Sequence, residues 1–392
     1  MKENVKAFGI ITRDLNKREP IEIFLENTRK FKHQMQHLIV SYEDEVDNSI
    51  LDSFKKQIKV TAVKRGHAPF LENYLSKLGL TEEEVMILTG TPYKNDYGLI
   101  SYGTSRNYVL LTAFMLKVDY LFFFDSDIYP KILTHFTDDS FSFTEIDFVG
   151  SHLKYLKQKD VVLTTSDYSG YYIIPKMNFP HLKDLLYGVQ KETAFDKITK
   201  YNDPVTAETY LQKVIDTQKA LGGNLAINLN KINVLPPFFS SAMVMNDECF
   251  LGRGEDTLFG PEIHKKARCV DIDLPVFHNC FGDFPKKPSI FLEKNLDRFF
   301  YACMGWIIRN PFLNWLRQNS NMKYDVIEIS SRLKALKIGS RAAAEYFNDD
   351  RFLMLPAAFE LSYQKLANDI WNFRRLMKTW KKFMKLNLQE HS

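Results

Sequence analysis

Apolar and polar positions alternate in blocks along the first third of the chain. Short apolar runs with the composition of buried strands occupy residues 8–12, 37–44 and 57–63. Stretches with the periodicity of amphipathic helices occupy residues 21–31 and 68–79, and Gly79 is suited to end the second of them. Strands that alternate with helices are typical of a parallel sheet covered by helices. The pattern therefore predicts an α/β fold.

A second unit joins a helix to a strongly apolar strand. GTSRNYVLLTAFMLK (103–117) begins with residues suited to a helix cap and places its large apolar side chains on roughly one helical face. VDYLFFF (118–124) follows directly and is apolar on both faces, as expected of a strand in the middle of a parallel sheet. Asp125 and Asp127 come next, so we expect them at the edge where open α/β sheets bind ligands.

The pattern becomes mixed after about residue 148 and mostly helical after about residue 290. Strand-like runs occur at FVGSHL (148–153), VVLTTSDYSGYYIIP (161–175) and GGNLAINLNKI (222–232), with a helical stretch near 203–221. We therefore expect an α/β region over residues 1–289 and a mainly helical C-terminal region over residues 290–392.

Composition narrows the class of protein. With 392 residues, 45% hydrophobic and 26% charged, the chain has a globular composition and can bury a large core. A net charge of +4 is too small to favour nucleic acid as a partner. No signal peptide opens the sequence and no apolar run is long enough for a membrane span, so we expect a cytoplasmic protein. The cysteines form no CxxC pair, so we expect free thiols at Cys249, Cys269, Cys280 and Cys303.

Asp125 and Asp127 are the first candidates for chemistry. In an extended segment they would project the same way, and two like charges resist burial unless a cation lies between them. Mg²⁺ and Mn²⁺ often take one or two protein carboxylates when a diphosphate supplies the other oxygens. The pair therefore favours a metal and nucleotide-diphosphate site. Two alternatives are an Asx turn that caps the strand and a phosphatase site of the haloacid-dehalogenase type, against which Tyr129 counts because Thr or Val stands there in such enzymes.

Two further segments carry candidate groups. In GRGEDTLFG (252–260) the glycines allow close approach of a ligand, and Glu255 and Asp256 would open a helix whose dipole favours negative charge. Asp256 is a candidate general base for an attacking hydroxyl; the alternative is acids that only occupy a helix N-terminus. In DLPVFHNCF (273–281) a short strand delivers His278, either as a metal ligand or as a satisfied core histidine.

Taken in order, YGTSRN, FFFDSD, GGNLAINL, GRGED and VFHN resemble the landmarks of the GT-A glycosyltransferases, especially family-2-like and galactosyltransferase-like members, over about residues 5–285. The resemblance implies a GT-A fold, which is Rossmann-like with a mostly parallel central sheet flanked by helices. It places Arg106 and Asn107 on the helix before the DxD strand. It also places a Gly-Gly-Asn segment beside the sugar, here Gly222, Gly223 and Asn224. The sequence departs from the family before the acid pair, where Gly252-Arg253-Gly254 stands in place of a frequent tryptophan.

The resemblance also implies a reaction. A divalent cation, Mn²⁺ or Mg²⁺, would be held by Asp127 with Asp125 and His278, and would bind the diphosphate of a nucleotide sugar. Asp256 would deprotonate the acceptor hydroxyl while Glu255 orients the acceptor, so the expected enzyme is an inverting hexosyltransferase. Nucleoside contacts are expected from residues at the tips of early strands, namely Thr12, Arg13 and Asp44. A retaining GT-A enzyme and a catalytically silent sugar- or nucleotide-binding module are the alternatives.

The C-terminal segment suggests a second partner. Between Arg374 and Lys385 there are six basic residues and no acidic one, with apolar side chains at helical spacing at Leu376, Met377, Trp380, Phe383 and Met384. A basic amphipathic helix can lie on an anionic membrane surface, which would make the protein peripheral at the inner face of the membrane. The expected acceptor is a carbohydrate, a lipid-linked molecule or an envelope polymer, and membrane binding would favour the last two. The alternative is that the apolar face packs on the catalytic domain.

Overall fold

The computed structural model describes residues 4–13, 15–90, 101–207, 214–318 and 325–390. The strands within these residues are β1 (Lys6–Thr12), β2 (His37–Tyr42), β3 (Lys59–Lys64), β4 (Tyr120–Phe123), β5 (Ile128–Tyr129), β6 (Lys131–Phe136), β7 (Phe141–Glu145), β8 (Val161–Thr165), β9 (Tyr168–Ser169), β10 (Ile215–Asp216), β11 (Leu225–Asn228), β12 (Ala242–Met245), β13 (Glu248–Leu251), β14 (Arg268–Asp271) and β15 (Val276–His278).

The α-helices within the same residues are α1 (Glu19–Lys30), α2 (Asn48–Lys55), α3 (Pro69–Lys77), α4 (Glu82–Thr89), α5 (Tyr102–Met115), α6 (Phe148–Leu156), α7 (Leu182–Gly188), α8 (Phe195–Thr199), α9 (Glu255–His264), α10 (Glu293–Arg317), α11 (Val326–Phe347), α12 (Leu355–Gln364) and α13 (Leu366–Glu390). Short 3₁₀ helices occupy Glu192–Ala194, Leu229–Val234 and Asp350–Met354.

The central sheet has eight strands in the order β10-β14-β8-β11-β4-β1-β2-β3. Neighbouring strands run parallel from β4 through β1 and β2 to β3, and again between β8 and β14. Only β11 and β10 run against the others. Helices α1, α2 and α6 cover one face, and α3, α4, α5, α9 and α13 cover the other. The predicted α/β class, with a mostly parallel sheet flanked by helices and a helical C-terminal region, is confirmed.

Helix α5 is buried on all sides rather than on one face. Every residue from Gly103 to Phe114 is buried, because the helix packs on β1 and β2 and is surrounded by α3, α4 and α9, while Phe114 near its end meets Trp380 and Phe383 of α13. Its cap is Ser101, whose side chain accepts from the Thr104 N–H, and not the Gly-Thr-Ser segment that the sequence suggested. Gly9 on β1 allows the close approach, since a Cβ there would lie 2.6 Å from Val109 Cγ1.

Two of the predicted elements are wrong. FVGSHL is the start of helix α6, capped by Asp147, and not a strand. Its buried positions recur at helical spacing over the full element, which a six-residue window is too short to show: Phe148, Val149, His152, Leu153 and Leu156. The helix expected near 203–221 is replaced at its described end by strand β10, and residues 208–213 lie outside the described residues.

The apolar face of α13 packs on the α/β region. Leu376, Trp380 and Phe383 are buried in the same core as Phe114, and the Trp380 indole donates to the Leu235 carbonyl at 2.9 Å. This is the alternative that the sequence left open, so the face expected to lie in a membrane is covered by protein. No helix in the described part of the chain is long and apolar enough to cross a membrane.

Helix α10 contributes to two cores. Its first half packs with α7, α11 and α12, while Phe312 and Leu316 near its end join the core beneath α5. The C-terminal helices thus extend the packing of the α/β region. The domain boundary near residue 290 stays a prediction.

Candidate active site

The candidate site lies where β4 ends, and two neighbouring elements complete it. β4 ends at Phe123, and a turn closed by the Ile128 N–H on the Asp125 carbonyl (3.1 Å) carries the acid pair. Strand β15 pairs antiparallel with β5, which sets His278 opposite Ile128. As a result His278 Nε2 lies 3.1 Å from Asp127 Oδ2, and the Asn279 N–H donates to the Asp127 carbonyl at 2.9 Å.

Arg106 connects the acid pair to the Glu-Asp pair. Its Nε donates to Glu255 Oε1 at 2.8 Å, its Nη2 lies 3.4 Å from Asp125 Oδ1, and its Nη1 donates to the Gly222 carbonyl at 3.2 Å. The guanidinium is buried and lies 5.4 Å above the Phe123 ring. A Cβ at Gly222 would lie 1.9 Å from Arg106 Nη2, so only glycine fits there.

Asp125 and Asp127 have different partners. The pair lies in a turn beyond the strand and not in an extended segment, so period-two spacing does not govern where the side chains point. Burial raises the pKa of Asp125 to about 6, against the opposing charge of Arg106 and with a further contribution from Asp127. Burial acts in the same sense on Asp127, but the hydrogen bond and charge of His278 hold its pKa below the ordinary value.

The metal trio expected from the sequence is only partly assembled. Within the described ranges no three His, Cys, Asp or Glu side chains form a ready metal site. Asp127 and His278 do offer a carboxylate and an imidazole at one point, a donor set that suits Mn²⁺ when phosphate and water oxygens complete the coordination. The residues present therefore fit a cation that arrives with a diphosphate.

Glu255 and Asp256 open helix α9, as predicted. Gly254 caps the helix at φ +86°, in the left-handed region that favours glycine. Glu255 is buried against Arg106, while Asp256 accepts from the Gly222 N–H at 2.9 Å and from the Thr257 N–H at 2.7 Å. Burial and the neighbouring Glu255 charge raise the pKa of Asp256, with Arg106 opposing. A carboxylate of raised basicity is thus fixed beside the glycine segment.

Gly223 and Tyr168 close the site between the two acid pairs. The Gly223 N–H donates to the Tyr168 hydroxyl at 3.1 Å, and a Cβ at Gly223 would lie 2.8 Å from Asp125 Oδ2. The Tyr168 ring lies 4.9 Å from the His278 ring. Tyr168 belongs to DYSGYY (167–172), a segment that from the sequence could either line the acceptor side or supply aromatic residues to the core.

Asn107 and Asn224 are buried and their amides are engaged by the protein. Asn107 exchanges two hydrogen bonds with the Phe238 backbone, at 2.8 and 2.9 Å. Asn224 donates to the carbonyls of Asp167 and Leu274, and its Oδ1 lies 3.1 Å from His152 Nε2. Both side chains hold segments that shape the site, and the donor contact expected of them stays a prediction.

The predicted nucleoside residues lie at the tips of β1 and β2. Arg13 and Asp44 form an exposed ion pair of 2.7 Å, and Thr12 is buried next to it. Arg65, which was not predicted from the sequence, lies just after β3, pairs with Glu43 at 2.7 Å and donates to the Thr12 carbonyl at 3.3 Å. A single basic residue after an apolar run was its only signal. The structure brings these five residues together at the same sheet edge as the acid pair.

No protein-family model and no curated protein sequence matches the chain. Three solved structures resemble it in architecture at low identity. Glucosyl-3-phosphoglycerate synthase from Mycobacterium tuberculosis with Mn²⁺ and uridine-diphosphate-glucose is 13% identical, with 78% of this chain and 79% of that chain covered and a TM-score of 0.39.

Mannosyltransferase PcManGT from Pyrobaculum calidifontis with GDP-Man and Mn²⁺ is 12% identical, with 92% and 86% covered and a TM-score of 0.37. S. aureus TarS 1-349 is 11% identical, with 94% and 91% covered and a TM-score of 0.36. At such low TM-scores and identities the likeness carries no argument about the chemistry of this chain, which has to be inferred from its own residues.

Proposed function

We propose that the chain is a metal-dependent GT-A glycosyltransferase that moves a hexose from a nucleotide-diphosphate sugar to an acceptor hydroxyl with inversion. One observation carries the proposal: Arg106 joins the Asp125–Asp127 turn to the Glu255–Asp256 helix start at the carboxyl edge of the sheet. A diphosphate-binding acid pair and a candidate base are thereby held next to each other, as a displacement at a sugar carbon requires.

The donor side of the proposed site is formed by Asp127 and His278. A bound Mn²⁺ or Mg²⁺ would supply Lewis-acid stabilisation of the charge on the departing diphosphate. Arg106 keeps Asp125 in place beside it. A Cβ at position 223 would contact Asp125 and Tyr168, so Gly223 keeps the space next to these two side chains free of a further side chain, and the sugar would lie there. The expected nucleoside contacts of Thr12, Arg13 and Asp44 belong to this side, where Arg65 donates to the Thr12 carbonyl.

The acceptor side is formed by Asp256. Its carboxylate is oriented by two backbone N–H groups, and its raised pKa suits a group that takes a proton from a hydroxyl. Glu255 is engaged by Arg106, so we propose that it acts mainly by positioning Arg106 and not by contacting the acceptor as the sequence suggested.

The experiment that tests the donor site compares the wild-type chain with Asp127→Ala. Calorimetric titration with UDP- and GDP-sugars, with and without Mn²⁺, should give metal-dependent binding that Asp127→Ala loses. Asp119→Ala serves as a control, because that carboxylate binds the Val5 N–H away from the site. Equal metal-dependent binding by Asp127→Ala would refute the site. The anomeric proton coupling of the product distinguishes inversion from the retaining alternative, and Mn²⁺-dependent hydrolysis of a sugar nucleotide would exclude a silent module.

A further inference from the structure

Two buried or partly buried cations, Arg309 beside the start of α9 and Lys191 on a loop docked against α10, have no acidic partner among the described residues. The Arg309 side chain on α10 is 7% exposed, and a Cβ at Gly254 would lie 2.5 Å from its Nη1. Within the described ranges, Arg309 hydrogen-bonds the amide oxygen of Asn310 and no other group, through Nε at 3.2 Å and Nη2 at 2.9 Å. Lys191 is partly buried, with its Nζ 5.3 Å above the Trp306 ring. Among the residues that the structure describes, no carboxylate lies within ion-pair distance of either cation.

The two carboxylates at the start of α9 are already engaged. Glu255 is paired with Arg106 at 2.8 Å, and both oxygens of Asp256 accept from backbone N–H groups. Asp256 nevertheless influences both cations: burial lowers the pKa of Arg309 and of Lys191, and in each case the Asp256 charge opposes that effect. Arg309 lies beside Gly254, two residues before the candidate base, and the Asp256 charge acts on both cations without forming an ion pair with either of them.

The surroundings of this pair are basic. Arg309 and the exposed Lys197 and Arg317 all lower the pKa of Lys191 further. The loop that carries Lys191 is fixed on α10, because Asn310 donates to the Val189 carbonyl at 2.8 Å. Like charges held together inside a protein cost free energy unless an anion offsets them. This cost makes a structural role for both cations a poor explanation.

We infer that the acceptor carries an anionic group, a phosphate or a carboxylate, which Arg309 and Lys191 bind next to Asp256. The inference rests on the proposed function and adds the substrate class. The anion would lie at the N-terminal end of α9, where the helix dipole also favours negative charge.

The first test is direct binding of inorganic phosphate in EDTA, where no metal can hold it. We expect the wild-type chain to bind phosphate, and Arg309→Gln and Lys191→Met each to weaken binding roughly ten- to hundredfold. Lys378→Met is the matched control, because Lys378 is an exposed cation on α13. Arg309→Lys should recover part of the affinity. No phosphate binding by the wild-type chain, or equal binding by the variants, would overturn the inference.

The second test uses pairs of acceptors that differ only in the anion. Glycerol 3-phosphate and glycerate are compared with glycerol, and glucose 6-phosphate with glucose, in Mn²⁺-dependent release of nucleotide from the donor. Arg309→Gln should raise KM for the anionic members more than it lowers kcat, and phosphate against carboxylate competition identifies which anion is preferred. A preference for neutral acceptors would contradict the inference.

The proposed transferase activity and the proposed anionic acceptor can fail separately. If Asp127→Ala binds nucleotide-sugar donors as the wild-type chain does, the proposed transferase activity is wrong, whatever the result of the phosphate-binding experiment. If donor binding requires Asp127 but phosphate affinity is the same in the Arg309 and Lys191 variants as in the wild-type chain, only the anionic acceptor is wrong.

Discussion

Arg106 and Glu255 form an ion pair of 2.8 Å inside the protein, where their side chains are 4% and 8% exposed. The same guanidinium reaches Asp125 and the Gly222 carbonyl, so one side chain joins three segments that are distant in sequence. A buried cation with this many partners sets the geometry of the site, since removing it leaves buried carboxylates without compensation.

Arg106→Met should therefore lower the free energy of unfolding by about 3–5 kcal/mol, measured by urea denaturation. Arg106→Lys should be intermediate, because an ammonium cannot reproduce the forked geometry. The control is Arg13→Met, whose exposed ion pair with Asp44 should be worth less than about 1 kcal/mol. Similar losses for Arg106→Met and Arg13→Met would show that Arg106 does not hold the site together.

Asp256→Asn should lower kcat by roughly 10²- to 10⁴-fold while donor affinity in calorimetry stays unchanged. The amide keeps the shape and can still meet the Gly222 N–H with its oxygen, but it cannot take a proton. Because the pKa of Asp256 is raised, the wild-type rate should fall at a higher pH on acidification than for an ordinary aspartate. Turnover by Asp256→Asn at a near wild-type rate would remove it as the base.

Much of the arrangement of the candidate site could be predicted from the sequence because its acids lie in short segments with local signals. The apolar run before Asp125 and Asp127 predicted a buried strand with carboxylates at its end. The acidic pair Glu255 and Asp256, preceded by Gly254, predicted the start of a helix. His278 was found from its order after these motifs. These signals depend on neighbouring residues alone.

The remainder depends on long-range contacts that no local pattern carries. Lys191 and Arg309 meet only because a loop docks on α10, and each looks like an ordinary surface cation in the sequence. The Trp380 face was ambiguous for the same reason: an amphipathic pattern states that one face is buried and not what buries it.

Trp380→Ala should destabilise the protein by about 3–5 kcal/mol, because it leaves a cavity at a fully buried position and removes the hydrogen-bond donor of the Leu235 carbonyl. Trp371→Ala is the matched control on the same helix, where the side chain is 54% exposed and the cost should be about 0.5 kcal/mol.

The same helix allows a test of membrane association. Co-sedimentation with anionic vesicles should be no greater for the wild-type chain than for a Lys378→Met/Lys381→Met variant, because the apolar face is not available to lipid. If the wild-type chain sediments with the vesicles and the variant does not, the exposed basic residues alone bind the membrane surface.

Lys191→Met should make the protein more stable at neutral pH. Burial, with Arg309 and two further cations, lowers the pKa of Lys191 from 10.5 to about 8, so the charged form is disfavoured in the folded state. Below pH 8 the folded and unfolded chains both hold this proton and the full cost is present. Between pH 8 and 10.5 the unfolded chain binds the proton that the folded chain has lost, so stability rises with pH.

The difference in unfolding free energy between Lys191→Met and wild type should reach at most about 3 kcal/mol near pH 7 and shrink towards pH 10.5. Urea denaturation of both chains across this range measures it, and a pH-independent difference would show that Lys191 is not held at a lowered pKa. A variant that is more stable yet binds phosphate less well would show that the buried charge is kept for binding and not for folding.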